Sequence, residues 1–145
     1  MRFKNRYFVF ELLWRDGRPD DAVDEAALLT VLRESLLLLA GDAARGAALA
    51  SLTVKWVHVK AGLLVLRCGR GEAPLVWAAL TLLTHLRGRA VLLRLLHQGG
   101  TLASVRRGAL ECCEAAKPRL TRHLGEQAGL LAATQSATKI KNLEQ

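Results

Sequence analysis

The residues whose types and spacing could do chemistry are cations, and they stand in two places. The chain opens Arg2-Phe3-Lys4-Asn5-Arg6-Tyr7. On extended backbone alternate side chains point the same way, so Arg2, Lys4 and Arg6 would line one edge, spaced like successive phosphates. Phe3 and Tyr7 would then be available for stacking on bases or for packing. The second place is "HQGGTLASVRR", residues 97 to 107. Gly99 and Gly100 permit close approach of another backbone, Thr101 has the side chain of a helix cap, and Arg106 and Arg107 follow one to two turns later. Bare amides at a helix N-terminus attract phosphate. Each feature also has a structural reading. The opening is then a solubilising strand end, Gly-Gly-Thr a capped turn, the arginines a solvated face, and His97 a satisfied strand-end histidine.

Other chemistry finds little footing. Asp16, Asp20, Asp21, Asp24 and Glu25 crowd into a loop and a helix start, where acids serve as caps and complement the helix dipole. No Gly-x-Ser-x-Gly elbow, Walker-type loop or His-Glu pair is present. "RDGRPDD" is too acidic to act as the phosphate-holding loop of a small acyl phosphatase. His58, His85, His97 and His123 are scattered with no zinc-like spacing to Cys68, Cys112 or Cys113. Adjacent Cys112 and Cys113 cannot easily pair with each other, so the cysteines read as buried thiols in a reducing compartment. The expectation is neither a catalytic residue nor a metal site.

The bulk numbers agree with an anionic partner. The chain has 145 residues, 51% of them hydrophobic, and a formal net charge of +8. That length suits one domain with one substantial core, and the charge suits nucleic acid or an acidic membrane face. Glu11 interrupts the apolar run of the opening, with no small-residue cleavage site before "RDGRPDD". His85, Arg87, Arg89 and Arg94 interrupt the apolar stretch 75–96. A soluble protein is expected, without a membrane partner.

Residues 6–14, "RYFVFELLW", read as a strand. Asp20 or Asp21 would cap a helix from about Ala22 to Ala40 that stops at Gly41. Residues 49–60 alternate as a second strand, with Leu52, Val54, Trp56 and His58 on one side. Lys60-Ala61-Gly62 would turn into a third strand at 63–68. A second helix, with Pro74 in its first turn, would carry Val76, Trp77, Leu80, Leu83 and Leu86 to Gly88. Residues 89–96 make a fourth strand, and a third helix would run from Thr101 to about Ala116 and end at Pro118. The order β-α-β-β-α-β plus a C-terminal helix predicts an α+β, ferredoxin-like fold: a split βαβ, RRM-like antiparallel sheet. Residues 1–117 would form this RNA-binding domain, and 118–145 a partly helical or mobile extension. The third strand, "GLLVLRC", has no aromatic, so base stacking on the sheet is disfavoured.

On this frame "RFKNRYFVFEL" at 2–12, "GLLVLRC" at 62–68, "LVWAALTLLTHL" at 75–86 and "LHQGGTL" at 96–102 follow one another as in the Pop-five family. Roughly residues 2 to 116 resemble it. The specific parts are Arg2-Phe3-Lys4-x-Arg6-Tyr7 and His97-x-Gly99-Gly100-Thr101. The family supplies protein subunits of ribonuclease P and, in eukaryotes, of ribonuclease MRP.

The resemblance implies a non-catalytic subunit of a ribonucleoprotein whose RNA cleaves precursor tRNA at its 5′ end, with rRNA processing added in the MRP particle. The protein would not itself be an enzyme. It implies an RNA-binding surface at Arg2, Lys4, Arg6, Tyr7, His97, Gly99, Gly100, Thr101, Arg106 and Arg107. Partners would be ribonuclease P or MRP RNA, nearby precursor tRNA, a TIM-barrel-like subunit of about thirty kilodaltons and a paralogous ferredoxin-like subunit. No cofactor is expected, since magnesium would belong to the RNA, and the location would be nucleus and nucleolus. Family members often carry a basic residue just after the Gly-Gly-Thr-Ile/Leu run, where Ala103 stands here, with Arg106 and Arg107 farther along. The alternative is a protein–protein adaptor that uses the Leu-rich helix 22–40 without touching RNA. A small ferredoxin-like phosphatase is a weaker third.

Overall fold

The computed structural model describes residues 4–20, 22–58, 61–124, 135 and 137–142. Along the chain these form β1 (Asn5–Trp14), α1 (Glu25–Ser51), β2 (Thr53–His58), β3 (Leu63–Gly69), α2 (Ala73–Thr81), β4 (His85–Leu86), β5 (Arg89–Gly99) and α3 (Leu102–Leu124). The sheet order is β2-β3-β1-β5-β4, antiparallel at every pairing. This is the ferredoxin-like α+β arrangement, with β4 added as a short edge strand.

β1 lies in the middle of the sheet, and helices cover both of its faces, which explains its near-continuous apolar run. Phe8, Phe10 and Leu12 face α1 and α2, in a core with Leu32, Leu36, Leu64, Leu66, Val76 and Leu80. Tyr7 and Val9 face the opposite way, in a second core with Leu63, Val65, Leu102, Val105 and Ala109. Phe8 and Phe10 are fully buried with their rings edge to face, and each such burial is worth about 1.5–3 kcal/mol. α3 therefore covers the second face of the sheet. Ile140, in the C-terminal helical turn, is fully buried in that same core.

Several expected boundaries move. Asp24, not Asp20 or Asp21, caps α1, its carboxylate accepting from the Ala27 amide at 2.9 Å. Asp20 accepts from the Ala22 amide in the preceding turn, and Asp21 lies outside the described residues. The chain breaks helical geometry at Gly41 (φ 76°, ψ −175°), as expected, but a second helical segment follows at once and reaches Ser51. β2 is correspondingly shorter than 49–60, and Val59 and Lys60 lie outside the described residues. α2 stops at Thr81 rather than Gly88, and beyond the short strand β4 Arg87 and Gly88 both adopt positive φ (52° and 77°). That is the backbone of a two-residue hairpin turn, so Leu86 pairs across it with Arg89 instead of continuing a helix. α3 passes through Pro118, which removes one N–H but keeps a φ that a helix accepts. The boundary drawn at residue 117 thus falls inside α3.

Two irregularities change which side chains face which core. Lys55 is an extra residue in β2 between the pairs Val54–Leu66 and Trp56–Val65. A bulge of one residue reverses the alternation. Val54 accordingly packs against α1, while Trp56 packs on the opposite face, and the expected common face of Leu52, Val54, Trp56 and His58 is split. In β5 the shift between Val9–His97 and Phe10–Leu95 leaves Leu96 extra. Val91 and Leu93 therefore face α1 and α2, whereas His97 and Gly99 turn towards α3.

A candidate nucleic-acid interface

The β5 bulge explains the second basic region. With His97 turned towards α3, its ring lies directly over Gly108. A Cβ at 108 would fall 2.5 Å from Cγ of His97 and 2.7 Å from Cδ2. Its Nε2 lies 3.4 Å from Ser104 Oγ. Gly99 is buried against the same serine, and a Cβ there would meet Ser104 Oγ at 2.9 Å. Neither Gly99 nor Gly100 has positive φ, so these glycines provide close approach of helix and strand rather than an unusual backbone. The structure places His97 and Gly99 in the seam between β5 and α3.

Thr101 is the cap of α3. Its hydroxyl accepts from the Ser104 amide at 3.2 Å, and its carbonyl accepts from the Val105 amide at 3.2 Å. The amides of Leu102 and Ala103 have no hydrogen-bond acceptor among the described residues and point out of the helix end. Arg6 is beside them. Its Nη1 donates to the Asn5 carbonyl at 3.0 Å, and it would lie 3.3 Å from a Cβ at Gly100. Lys4 is exposed two residues earlier, just before β1, and Arg2 lies outside the described residues. On α3, Arg107 is exposed, whereas Arg106 is half-buried with its Nε shielded and unbonded.

Tyr7 corrects an expectation. It pairs opposite Gly99 and is only 4% exposed within the α3-side core, so its ring packs and offers no face to a base. Trp56, on the edge strand β2, is buried in the same core. Of the expected residues, Arg6, Gly100 and Thr101 come together at the start of α3, with Lys4 exposed just before β1 and Arg107 exposed farther along α3. Tyr7, His97 and Gly99 instead form the packed layer beneath them.

The strand register adds cations that the sequence reading missed. Tyr7 pairs opposite Arg67 on its other side, and the Lys4 carbonyl accepts from the Arg70 amide at 2.9 Å. Arg67 and Arg70 thereby join Lys4 and Arg6 at one end of the sheet. The only sequence signals were a charge closing the apolar run "LLVLRC" and another within "GRGEAP". Lys55 is close by, and its pKa is lowered by burial and by the charge of Arg67.

Three arginines towards the far end of the sheet are paired, though Arg15 and Arg18 there have no salt bridge among the described residues. At the far end Arg89 bonds Asp16 at 2.7 Å and lies over the Trp14 ring, Arg87 is 3.6 Å from Asp20, and Arg94 bonds Glu11 at 2.6 Å. The Arg18 amide and Arg89 together hold the Asp16 carboxyl below its usual pKa. Lys4, Arg6, Arg67, Arg70, Arg106 and Arg107 have no carboxylate in salt-bridge reach among the described residues. Among those residues no three His, Cys, Asp or Glu side chains gather as a metal site, and no helix is long and apolar enough to cross a membrane.

Comparison with known proteins meets this geometry at the same residues. The family model of the Rpp14/Pop5 family matches residues 6–110, from Arg6 on β1 to the first turns of α3. The chain is 30% identical over 120 residues to the ribonuclease P/MRP protein subunit POP5 of Schizosaccharomyces pombe, covering 77% of this chain and 86% of that protein. It is 29% identical over 106 residues to the subunit of the same name from Homo sapiens, covering 70% of this chain and 65% of that one. A chain in a cryo-EM structure of yeast ribonuclease MRP shares the fold, with a TM-score of 0.54 at 11% identity over 70% of this chain and 78% of that one. The seam that packs His97 on Gly108, the capped turn before it and the strand that brings Arg6 alongside all fall within the matched span, and the chain belongs to the Rpp14/Pop5 family.

Proposed function

We propose that the chain is a non-catalytic, RNA-binding subunit of the ribonuclease P and ribonuclease MRP particles, supporting 5′ maturation of precursor tRNA and, in the MRP particle, rRNA processing. Family membership supports the subunit role. The observation that carries the RNA contact is the distribution of charge: Arg87, Arg89 and Arg94 are neutralised by Asp20, Asp16 and Glu11, while Lys4, Arg6, Arg67 and Arg70, gathered at the other end of the sheet, have no carboxylate in salt-bridge reach among the described residues. Uncompensated cations beside open helix amides suit a phosphate backbone, and buried aromatics leave little for base stacking. Structured RNA is recognised largely by shape, backbone and 2′-hydroxyls, which such a surface can provide. RNA would perform the cleavage and hold the magnesium, in the nucleus and nucleolus.

The test is recovery of the protein from cells of its source and sequencing of the RNA that accompanies it. Strong enrichment of ribonuclease P or MRP RNA is expected, and its absence would refute the reading. With purified components the affinity should fall steeply with salt, because each neutralised phosphate releases counterions.

A second reading operates alongside the first. Leu38 is 88% exposed and Leu82 60%, with Leu37, Leu39 and Trp77 also exposed on the two helices. Apolar surface of this kind favours protein docking. The TIM-barrel-like subunit of about thirty kilodaltons and the paralogous ferredoxin-like subunit are the partners that the family resemblance suggests. An unchanged size-exclusion elution on mixing with them would count against it.

A further inference from the structure

A groove of about 650 Å³ opens between the last turn of α1, the start of β1, the end of β3 and the turn leading into α2. Lys4, Asn5, Thr53, Arg67 and Arg70 line it, together with one carboxylate, Glu72. These residues come from separate elements, so the cations surround the groove rather than forming a stripe on one helix.

Arg67 marks the groove as unfinished. Its backbone is fixed in β3 between β1 and β2, and its Nε is shielded from solvent without an acceptor. Its one side-chain bond, from Nη2 to Thr53 Oγ1, is long at 3.4 Å. A guanidinium held in this way retains donors for an acceptor that the described residues do not supply. No carboxylate is within salt-bridge reach of Lys4, Lys55, Arg67 or Arg70 among the described residues. Glu72 is drawn over Gly69, where a Cβ would meet its Oε2.

We propose that this groove is a second phosphate-binding site, which receives the sugar-phosphate backbone of an RNA strand also contacted by Arg6, Arg107 and the open end of α3. The inference rests on the proposed RNA-binding role and extends the interface from β1 across to β3. Lys4 connects the two places, since it stands just before β1, two residues ahead of Arg6, and lines the groove. The lining has hydroxyl, amide, ammonium and guanidinium donors and no aromatic ring, so it would hold backbone without reading bases. A concave groove with few large apolar side chains is also poorly shaped for a lipid surface.

The experiment measures binding of the full chain to a transcript of ribonuclease P or MRP RNA by fluorescence anisotropy across a salt series. R67Q/R70Q is compared with R107Q at the α3 end. The groove double variant should lose about tenfold or more in affinity, with the slope of log K against log salt reduced by roughly 0.7–0.9 for each lost phosphate contact. E72Q should bind several-fold more tightly, because it removes the one opposing charge. R67K should recover part of the loss, and exposed R70Q alone gives a variant that does not depend on the folding of Arg67. Normal binding by R67Q/R70Q with weakened binding by R107Q would overturn the groove while leaving the RNA-subunit reading intact. No binding by the unsubstituted chain would remove both. Displacement of RNA from the groove by polyglutamate at equal charge concentration would overturn it in favour of an acidic protein partner.

Discussion

Replacing Gly108 by alanine tests the seam on which the α3 end of the interface rests. The new methyl carbon would lie 2.5 Å from His97 Cγ, 2.7 Å from Cδ2 and 2.9 Å from Nδ1. Cγ is one bond from the histidine's own Cβ, which β5 holds in place, so the ring cannot yield by moving only its tip. Relief requires a new side-chain rotamer, which gives up the Ser104 contact, or a displacement of α3. Overpacking of this kind costs about 1–3 kcal/mol. Gly108 lies within α3 without positive φ, and alanine there returns about 1 kcal/mol through helix propensity. With a central cost of about 2 kcal/mol, G108A should lose about 1 kcal/mol, or a Tm fall of about 3 °C for a chain of this size. In an H97A background the obstruction is gone, and the same substitution should stabilise by about 1 kcal/mol. Urea melts of the four proteins give the coupling energy directly, with about 2 kcal/mol expected. Equal stabilisation by G108A in both backgrounds would refute the packing of His97 on α3.

Four further outcomes are expected. T101A removes the cap on the Ser104 amide and should cost about 1 kcal/mol in thermal melts, while T101S should retain most of it; equal stability of all three proteins would remove Thr101 as the cap. R94A strips a 2.6 Å partner from Glu11, which is 8% exposed, and should cost about 1 kcal/mol in urea, since the arginine itself is largely solvated; an unchanged midpoint would show that the pair contributes nothing. Burial pushes the Cys68 thiol to about 12, with the charge of Glu72 adding to the shift. The folded state therefore keeps its proton where an unfolded thiol has lost it, so this group's contribution is complete below pH 9 and declines as pH rises towards 12. C68A should flatten that alkaline loss of stability, and an identical pH profile would count against the shift. In native protein at neutral pH, an alkylating agent should reach Cys112 before Cys68.

The sequence by itself determined the order of the main strands and helices, the ferredoxin-like class, and the cap at Thr101. It did so because those features are local: alternating apolar residues make a strand, and a hydroxyl before a helix can reach the amide three residues later. The cationic opening and the Gly-Gly-Thr turn were also legible, as was the shortage of aromatics for stacking on the sheet. What each of those residues touches was not. The bulge at Leu96 turns His97 and Gly99 towards α3, and the bulge at Lys55 turns Trp56 to that same face, each by one residue of register. A side chain's face depends on pairing with a distant strand, and a short sequence pattern does not contain that pairing. For the same reason Tyr7 read as a candidate stacking ring until α3 was seen to cover it. Only the tertiary structure joins Arg67 and Arg70 to Lys4 and leaves them unpaired while it neutralises Arg89 and Arg94, because charge compensation is decided by neighbours in space.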